Sequence, residues 1–467
     1  MTSTASTASA EGTKRDKKVY IETFGCQMNV SDTEIVLARL EEEGYRTADS
    51  IKDADLVLYN TCSVRDNAEA KIRGRLDFLK PVKRERPELR IGVMGCMAQR
   101  QKEELIRLHP HVDLVVGTDQ FVHMPALLKR LESEQHVVAT EFGFFESENW
   151  SVRRREGINA WVPIMRGCNY NCTYCVVPKT RGRESSRSPD LVEREVREAV
   201  EAGHVQVTLL GQTVDAYGKT LGDGTNLASL LRRLNAIDGL KRLRFVTSHP
   251  KDITDDLLEA IGECDKVAKH LHVPAQCGSS RVLRLMGRRY TREGYLDFVE
   301  RARRIVPGVE ILTDIIVGFP TESDEDFEQT LSLMDEVQFD GSYVFMYSER
   351  PGTGAANLAD DVPMEAKRTR CNEALARQLQ QQEARYTRLR GEVCEVLIEG
   401  PSKSNPDRLQ GRSLGNLNVV IERLDGDTAR DDLIGQIVTV RIVDSTNLTL
   451  YGEPCDAAVT LVGSGGR

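Results

Sequence analysis

The chain has 467 residues, 40% of them hydrophobic and 29% charged, with a formal net charge of −9. This length allows roughly two to four domains, and the negative charge excludes a general polyanion binder, so any nucleic-acid surface must be local. No apolar run approaches the roughly 18–20 residues needed to span a bilayer. Met1-Thr-Ser-Thr-Ala-Ser lacks the charged start and apolar core of a secretory signal. Residues 1–16 therefore read as a disordered tail, and the protein as cytoplasmic with no membrane partner. Eleven cysteines in such a chain suit a reducing compartment, where thiols bind metal more often than they pair.

From residue 17 to 133 the pattern alternates between strand and helix. Strands are expected at 18–24, 56–59, 91–94 and 114–116. Helices are expected from Ser31 to Gly44, from Val64 to Lys80, from Gln99 to Leu108 and from Gln120 to Leu131. Such alternation demands a parallel sheet with right-handed crossovers. Cys26, Cys62 and Cys96 each follow one of the first three strands, 36 and 34 residues apart, about one βαβ period. Glycines precede Cys26 and Cys96 and let the chain turn tightly there. One such cysteine would be an ordinary buried thiol. Three at equivalent strand ends point to a three-thiolate metal site.

Residues 134–160 read as a linker, after which the alternation restarts. Six strands are expected at 161–167, 206–211, 242–248, 270–274, 310–317 and 342–347, separated by helices near 190–202, 225–236, 254–261, 279–304 and 323–336. A last helix spans 363–390. Six βα units are too few for a closed eight-stranded barrel but suit an open, partial (β/α)6 barrel across 154–384, with its chemistry at the carboxyl ends of the strands. Beyond 387, short strands at 392–398, 409–413, 418–422, 437–443 and 448–451 predict a small antiparallel β-barrel to residue 455. That segment is nearly charge-neutral, with nine Lys/Arg against eleven Asp/Glu from 385 to 455.

The densest chemical signal is Arg166-Gly-Cys-Asn-Tyr-Asn-Cys-Thr-Tyr-Cys175, which places Cys168, Cys172 and Cys175 within eight residues at the end of the first barrel strand. A closed structural zinc site takes four ligands. A cubane iron–sulfur cluster held by three cysteines keeps one iron open to a reactant.

This stretch resembles the radical S-adenosylmethionine (SAM) signature. The flanking text extends the resemblance: Val176-Val-Pro-Lys-Thr-Arg-Gly-Arg-Glu184, Leu209-Leu-Gly-Gln212, His270-Leu-His-Val-Pro-Ala-Gln276, Met286-Gly-Arg-Arg-Tyr-Thr291, Thr313-Asp-Ile-Ile-Val-Gly-Phe-Pro320 and Tyr347-Ser-Glu-Arg-Pro-Gly-Thr353. Together with the upstream triad, these motifs are similar to the radical SAM methylthiotransferases, MiaB type, over roughly residues 17–455. The C-terminal barrel resembles a TRAM domain, an RNA-binding module.

The resemblance implies a [4Fe–4S] cluster on Cys168, Cys172 and Cys175 whose open iron chelates SAM, and an auxiliary, sulfur-carrying cluster on Cys26, Cys62 and Cys96. It implies reductive cleavage of one SAM to a 5′-deoxyadenosyl radical, and methyl transfer from a second SAM. Tyr174, Gly211, Gln212, Ser248, Gln276 and Asp314 are candidates to line the SAM pocket. Lys179, Arg181 and Arg183 are candidates to meet RNA phosphates, as are the basic pairs Arg281/Arg284 and Arg288/Arg289. The implied substrate is N6-isopentenyladenosine at position 37, in the anticodon loop of tRNA, flipped out of its stack. A reducing electron donor and a sulfur source are further implied partners, and a monomer is expected. Two alternatives stand beside this. Relatives act on threonylcarbamoyl-adenosine tRNA or on a ribosomal protein, and a non-enzymatic zinc-binding RNA-binding protein would also use clustered cysteines. The chain departs from the family pattern at Thr213 and Asp215, where asparagines are expected, and at Cys277, where serine is expected. Six cysteines already supply two clusters, so Cys277 is not expected to be a ligand.

Overall fold

The computed structural model describes residues 17–63, 66–143, 151–421 and 431–455. The expected tail, part of the expected linker and the last twelve residues lie outside the described residues. The described chain divides into two compact units, one ending at 153 and the other beginning at 154.

In the first unit the elements run β1 (Lys17–Phe24), α1 (Gln27–Glu42), β2 (Tyr45–Thr47), β3 (Leu56–Thr61), α2 (Asp66–Glu85), β4 (Arg90–Gly95), α3 (Cys96–Gln101), α4 (Glu103–Leu108), β5 (Leu114–Val116), α5 (Met124–Arg130) and β6 (Val137–Ala139). The six strands form one parallel sheet in the order β2-β1-β3-β4-β5-β6. Every residue of central β3 is buried. Val57 and Tyr59 join one apolar cluster, Leu56 and Leu58 the other, because successive side chains enter opposite layers of helices.

Three local features depart from the sequence expectation. Helix α1 starts at Gln27 rather than Ser31, because Cys26 caps it with Asn29 as reciprocal partner. The helix expected at 99–108 is two helices, broken where Lys102 takes φ +50°. Strands β2 and β6, the latter inside the expected linker, have three residues each, too few for a period-two pattern.

The second unit runs β7 (Asn159–Pro163), β8 (Met165–Arg166), α6 (Val177–Arg181), β9 (Ser185–Ser186), α7 (Pro189–Glu201), β10 (Gln206–Leu210), α8 (Leu227–Asn235), β11 (Arg242–Phe245), α9 (Asp255–Glu263), β12 (His270–His272), α10 (Ser280–Leu285), α11 (Arg292–Ile305), β13 (Glu310–Val317), α12 (Asp324–Val337), β14 (Gly341–Met346) and α13 (Met364–Arg388). Six parallel strands form two sheets, β7-β10-β11 and β12-β13-β14. A parallel bridge between Leu243 and Val267, and the Ser248 N–H donating to His272 O at 3.1 Å, link the two sheets into an open partial barrel. Val207, Leu209, Leu243, Ile311 and Ile315 face the helices in one large core. The alternate positions, Thr208, Arg244, His272 and Asp314, face inward. The strand expected at 161–167 ends at Pro163, and Met165-Arg166 pairs antiparallel with Ser185-Ser186 instead. The helix expected at 279–304 is two, α10 and α11, with a turn around Gly287 between them.

The closing barrel comprises β15 (Val393–Pro401), β16 (Leu409–Ser413), β17 (Asn418–Ile421), β18 (Ile437–Ser445) and β19 (Leu450–Pro454). Its order is β15-β16-β17-β19-β18, antiparallel at every pair except β17–β19, which run parallel and complete the closure. It belongs to the same compact unit as the partial barrel. Arg242 donates to Ser413 O at 2.7 Å, and Lys241 Nζ donates to Gly435 O at 2.8 Å.

The base of the β8–β9 excursion is tied down by a buried ion cluster. Arg187 donates to Glu195 Oε2 at 2.6 Å and to Pro163 O at 2.7 Å, while Arg154 donates to Glu195 Oε1 at 2.6 Å. Glu195→Gln removes the carboxylate charge that both guanidiniums share, a loss of about 3–5 kcal/mol. Chemical denaturation should show a lower unfolding midpoint for this unit; an unchanged midpoint would make the cluster dispensable.

Candidate metal centres and cofactor pocket

Cys168, Cys172 and Cys175 lie on the loop between β8 and α6, at the carboxyl end of the first barrel strands. Gly167 opens it at φ +71°, and a Cβ there would stand 2.0 Å from Arg183 O, so only glycine fits. The loop is held from several sides. The Cys168 N–H donates to Gly182 O at 3.2 Å, the Thr173 N–H to Met286 O at 2.9 Å, and the Ala355 N–H to Thr173 O at 2.7 Å. Tyr170 stacks on His249 at 3.9 Å between ring centroids and donates to Asp252 Oδ2 at 2.7 Å.

Each of the three sulfurs has a hydrogen-bond donor. Cys168 Sγ meets the Tyr170 N–H at 3.4 Å and the Thr213 hydroxyl at 3.3 Å. The Val177 N–H reaches Cys175 Sγ at 3.4 Å, and Arg288 Nη1 reaches Cys172 Sγ at 3.4 Å. Burial pushes the thiols of Cys168 and Cys175 up, the latter to about 12, with these hydrogen bonds pulling the other way. Bare thiolates at Cys168 and Cys175 are therefore disfavoured, and a metal centre bonded to the sulfurs would supply the missing stabilisation. Among the described residues no three His, Cys, Asp or Glu side chains converge on a single ion. Three thiolates each on its own iron do not need to converge, so the donor set fits a cluster.

In the first unit, Phe24 pairs with Thr61 and Thr61 with Gly95, so the ends of β1, β3 and β4 are level. Cys26, Cys62 and Cys96 follow these positions along one edge of the sheet. Cys26 caps α1 and Cys96 is the first residue of α3, where helix N-termini favour negative charge on sulfur. Cys62 and Cys96 are buried. A buried amide pair supports the edge: Asn29 Nδ2 donates to Asn60 Oδ1 at 2.9 Å, and Asn60 Nδ2 to Asn29 O at 2.8 Å. The glycines are packing requirements. A Cβ on Gly25 would meet Asn29 Oδ1 at 2.5 Å, and one on Gly95, at φ +96°, would meet Asn60 Oδ1 at the same distance. A soft three-sulfur donor set at this edge fits a second iron–sulfur centre.

The six residues expected to line a cofactor pocket sit as follows. Gly211 directly follows β10, where a Cβ would press Met165 Cγ at 2.6 Å. Gln212, Ser248 and Gln276 follow β10, β11 and β12, and Gln212 Oε1, Ser248 Oγ and Gln276 Oε1 are buried with no hydrogen-bond partner among the described residues. Gln276 also takes a strained φ of +67°, held by its N–H donating to Asp314 O at 2.8 Å. Asp314 lies on the inward face of β13, and His272 Nε2 stands 3.1 Å from its Oδ1. Tyr174 packs against the apolar cluster around Met286 and Phe319, and burial pushes its phenol well up. Orphaned polar atoms at adjacent strand ends are what a polar small molecule would satisfy.

Of the basic candidates, Lys179 and Arg183 are exposed, and Lys179 Nζ meets Gly352 O. Arg181 is buried, 3% exposed, which takes it away from an external phosphate. Arg288 turns inward to Cys172, and Arg281 pairs with Asp326, so neither is a free phosphate contact. Cys277 is a core thiol, 1% exposed, pushed up to about 12 by burial.

Sequence inspection missed three features. His249 is 3% exposed, burial pushes it down to about 2, and its Nδ1 accepts from the Lys251 N–H, which leaves Nε2 with the proton and no partner among the described residues. Asp215 accepts from the His249 N–H at 2.6 Å, and burial raises its carboxyl. Tyr343 and Phe345 are 55% and 49% exposed, yet they pair in register with inward-facing Asp314 and Ile316. Only the alternation of β14 could have suggested this.

Comparison with known proteins matches residues 18–117 to Uncharacterized protein family UPF0004, 162–334 to the Radical SAM superfamily and 387–455 to the TRAM domain. The tRNA-2-methylthio-N(6)-dimethylallyladenosine synthase of Acetivibrio thermocellus is 46% identical over 94% of this chain and 91% of its own length. The protein of the same name in Syntrophomonas wolfei subsp. wolfei is 44% identical over 94% of this chain and 98% of its own length. Among solved structures, the radical S-adenosylmethionine methyltransferase TsrM from Kitasatospora setae superposes with a TM-score of 0.55 at 13% identity, over 73% of this chain and 77% of that one, a likeness of fold.

Gly167→Ala should displace the loop that carries Cys168, because both the positive φ and the contact with Arg183 O oppose a side chain. Iron retained after anaerobic reconstitution should fall by about half relative to the unsubstituted protein, if each triad holds a cubane; full iron content would show that the loop tolerates the change.

Proposed function

Because this chain belongs to the tRNA-2-methylthio-N(6)-dimethylallyladenosine synthase family, we propose that it methylthiolates C2 of N6-isopentenyladenosine at position 37 in the tRNA anticodon loop. It is a radical SAM enzyme, a tRNA methylthiotransferase, and its cofactors are iron–sulfur clusters and SAM. The observation that carries the finer reading is the pair of thiol triads, each at the carboxyl edge of its own parallel sheet. Cys168, Cys172 and Cys175 would hold a cluster that supplies the electron for SAM cleavage, and Cys26, Cys62 and Cys96 would hold one that carries sulfur.

The clusters and SAM supply a radical able to remove hydrogen from an unactivated carbon, then sulfur and a methyl group; C2–H of adenine is too weakly acidic for acid–base chemistry. The protein's residues supply the rest. Gly167 and the Cys168–Gly182 bond fix the loop, and the N–H and O–H donors hold the sulfurs in place. Gln212, Ser248 and Gln276 carry buried unpaired polar atoms at adjacent strand ends that would meet SAM. Tyr343 and Phe345 offer apolar faces on the same inward surface as Asp314, suited to an unstacked base and its prenyl group. Lys179 and Arg183 are exposed cations beside the loop, suited to phosphate contact. An external one-electron donor and a sulfur source complete the reaction. Among the described residues no helix is long and apolar enough to cross a membrane.

Two outcomes test this. Alanine at Cys168, Cys172 or Cys175 should abolish SAM cleavage, while alanine at Cys26, Cys62 or Cys96 should spare cleavage and block sulfur insertion. Mass spectrometry of digested tRNA from cells lacking the protein should show the isopentenyl-adenosine precursor in place of its methylthio derivative; an undiminished derivative would refute the substrate assignment. Separately, Tyr343→Ala and Phe345→Ala should each weaken binding of an isopentenylated anticodon stem-loop by about 1–3 kcal/mol, about 5- to 150-fold. Equal affinity in equilibrium binding would remove both from the substrate surface.

A further inference from the structure

The donors on the Cys168–Cys172–Cys175 loop fall into two kinds. Tyr170 and Val177 give backbone N–H groups, which any sequence supplies. Thr213 and Arg288 give side-chain donors from outside the loop, 45 and 116 residues from the sulfurs they reach. We propose that Thr213 and Arg288 are positioning residues that set the reduction potential of the cluster on this loop, Thr213 through Cys168 and Arg288 through Cys172. The inference rests on the assignment of this triad to a cluster and goes beyond it.

Both side chains are placed by built features. Arg288 follows Gly287, whose φ of +70° and whose 2.8 Å clearance between a Cβ and Asn171 O press the turn against the cysteine loop. The turn is stitched on by the Thr173 N–H to Met286 O and the Thr173 hydroxyl to Leu285 O, each 2.9 Å. The guanidinium is then held on a second side by Pro274 O at 3.2 Å and the Tyr290 hydroxyl at 3.0 Å, so that Nη1 faces Cys172 Sγ. No carboxylate pairs with Arg288 among the described residues, so its charge is directed at the sulfur and the surrounding phenols. Thr213 follows Gln212 at the end of β10, 4% exposed, with its hydroxyl 3.3 Å from Cys168 Sγ. This is one of the positions where the chain departs from the asparagine of the family pattern. Threonine here places a hydroxyl at the sulfur.

Reduction adds one electron, and so one negative charge, to a cluster whose thiolate ligands are already anionic. A cation and a hydroxyl beside those sulfurs stabilise the reduced form more than the oxidised one and so raise the potential. The cation should contribute more than the neutral donor, because charge-assisted hydrogen bonds are about twice as strong.

The test is an anaerobic redox titration of the reconstituted full-length protein without SAM or tRNA, reduced by a low-potential chemical reductant and read by electron paramagnetic resonance. Each variant carries alanines at Cys26, Cys62 and Cys96, so that a single cluster is titrated. Thr213→Val and Arg288→Gln should both make the cluster harder to reduce, Arg288→Gln more so, and Arg288→Lys should recover part of the shift. Each tenfold loss in the reduction equilibrium reads as about 59 mV. Omitting SAM separates an effect on the cluster from any contact of Arg288 with SAM. Midpoints equal to that of the parent, at equal iron and sulfide content, would overturn the proposal. If Arg288→Gln lowers iron loading, the Thr213→Val and Arg288→Lys midpoints decide it. A cluster that persists after alanine replaces Cys168, Cys172 and Cys175 would sink the assignment of the triad instead, a distinct result.

Discussion

In a parallel ladder every strand points its carboxyl end to the same edge, and a residue one or two steps past the last paired position emerges there whatever its distance in sequence. Phe24, Thr61 and Gly95 are level in register, so Cys26, Cys62 and Cys96 emerge together although seventy residues separate the first from the last. The same constraint gathers Gln212, Ser248 and Gln276 around the cysteine loop of the second unit, because β10, β11 and β12 end on one side. Parallel pairing is thus the condition for both centres, and the helices that cover the sheets are its consequence.

Building thiol sites at strand ends requires the backbone to come very close to itself. Gly25, Gly95, Gly167 and Gly211 each sit where a Cβ would fall within 2.6 Å of a neighbouring atom. Near those glycines lie buried polar groups: the Asn29–Asn60 pair beneath the first triad and the Asp215–His249 contact beside the second. A buried amide or carboxylate costs stability unless it is hydrogen-bonded. The Asn29–Asn60 pair is, whereas Gln212 Oε1, Ser248 Oγ and Gln276 Oε1, at adjacent strand ends where a ligand is expected, have no partner among the described residues.

The C-terminal barrel has a structural task as well as any role in RNA binding. Arg242, at the amino end of β11, has its guanidinium donating to a carbonyl of the small barrel, and Arg385 of α13 bonds Glu310 at the start of β13. The inward, lower part of the partial barrel is therefore lined by charges that the small barrel helps to satisfy. This accounts for its merging with the partial barrel into one compact unit despite a separate apolar core.

Much of this could be read from the residues. The strand–helix alternation, the six cysteines and their strand-end placement are local patterns, and local patterns survive without a structure. The motifs after Cys175 carried the family, which the relatives then established. Other features were illegible for physical reasons. Strand β8 is two residues long and pairs with β9 across the cysteine loop, too short for any periodicity. Arg181 and Arg288 look alike as basic residues in a sequence, and only packing buries the first and turns the second onto Cys172. Thr213 stood out as a departure from a pattern, but its contact with Cys168 depends on how β10 meets the loop. The sequence by itself determined which atoms are available: thiols, glycines and the order of strands. The tertiary structure decided which donors face each sulfur and which polar atoms remain unpaired, because those depend on distances between segments that the chain brings together only on folding.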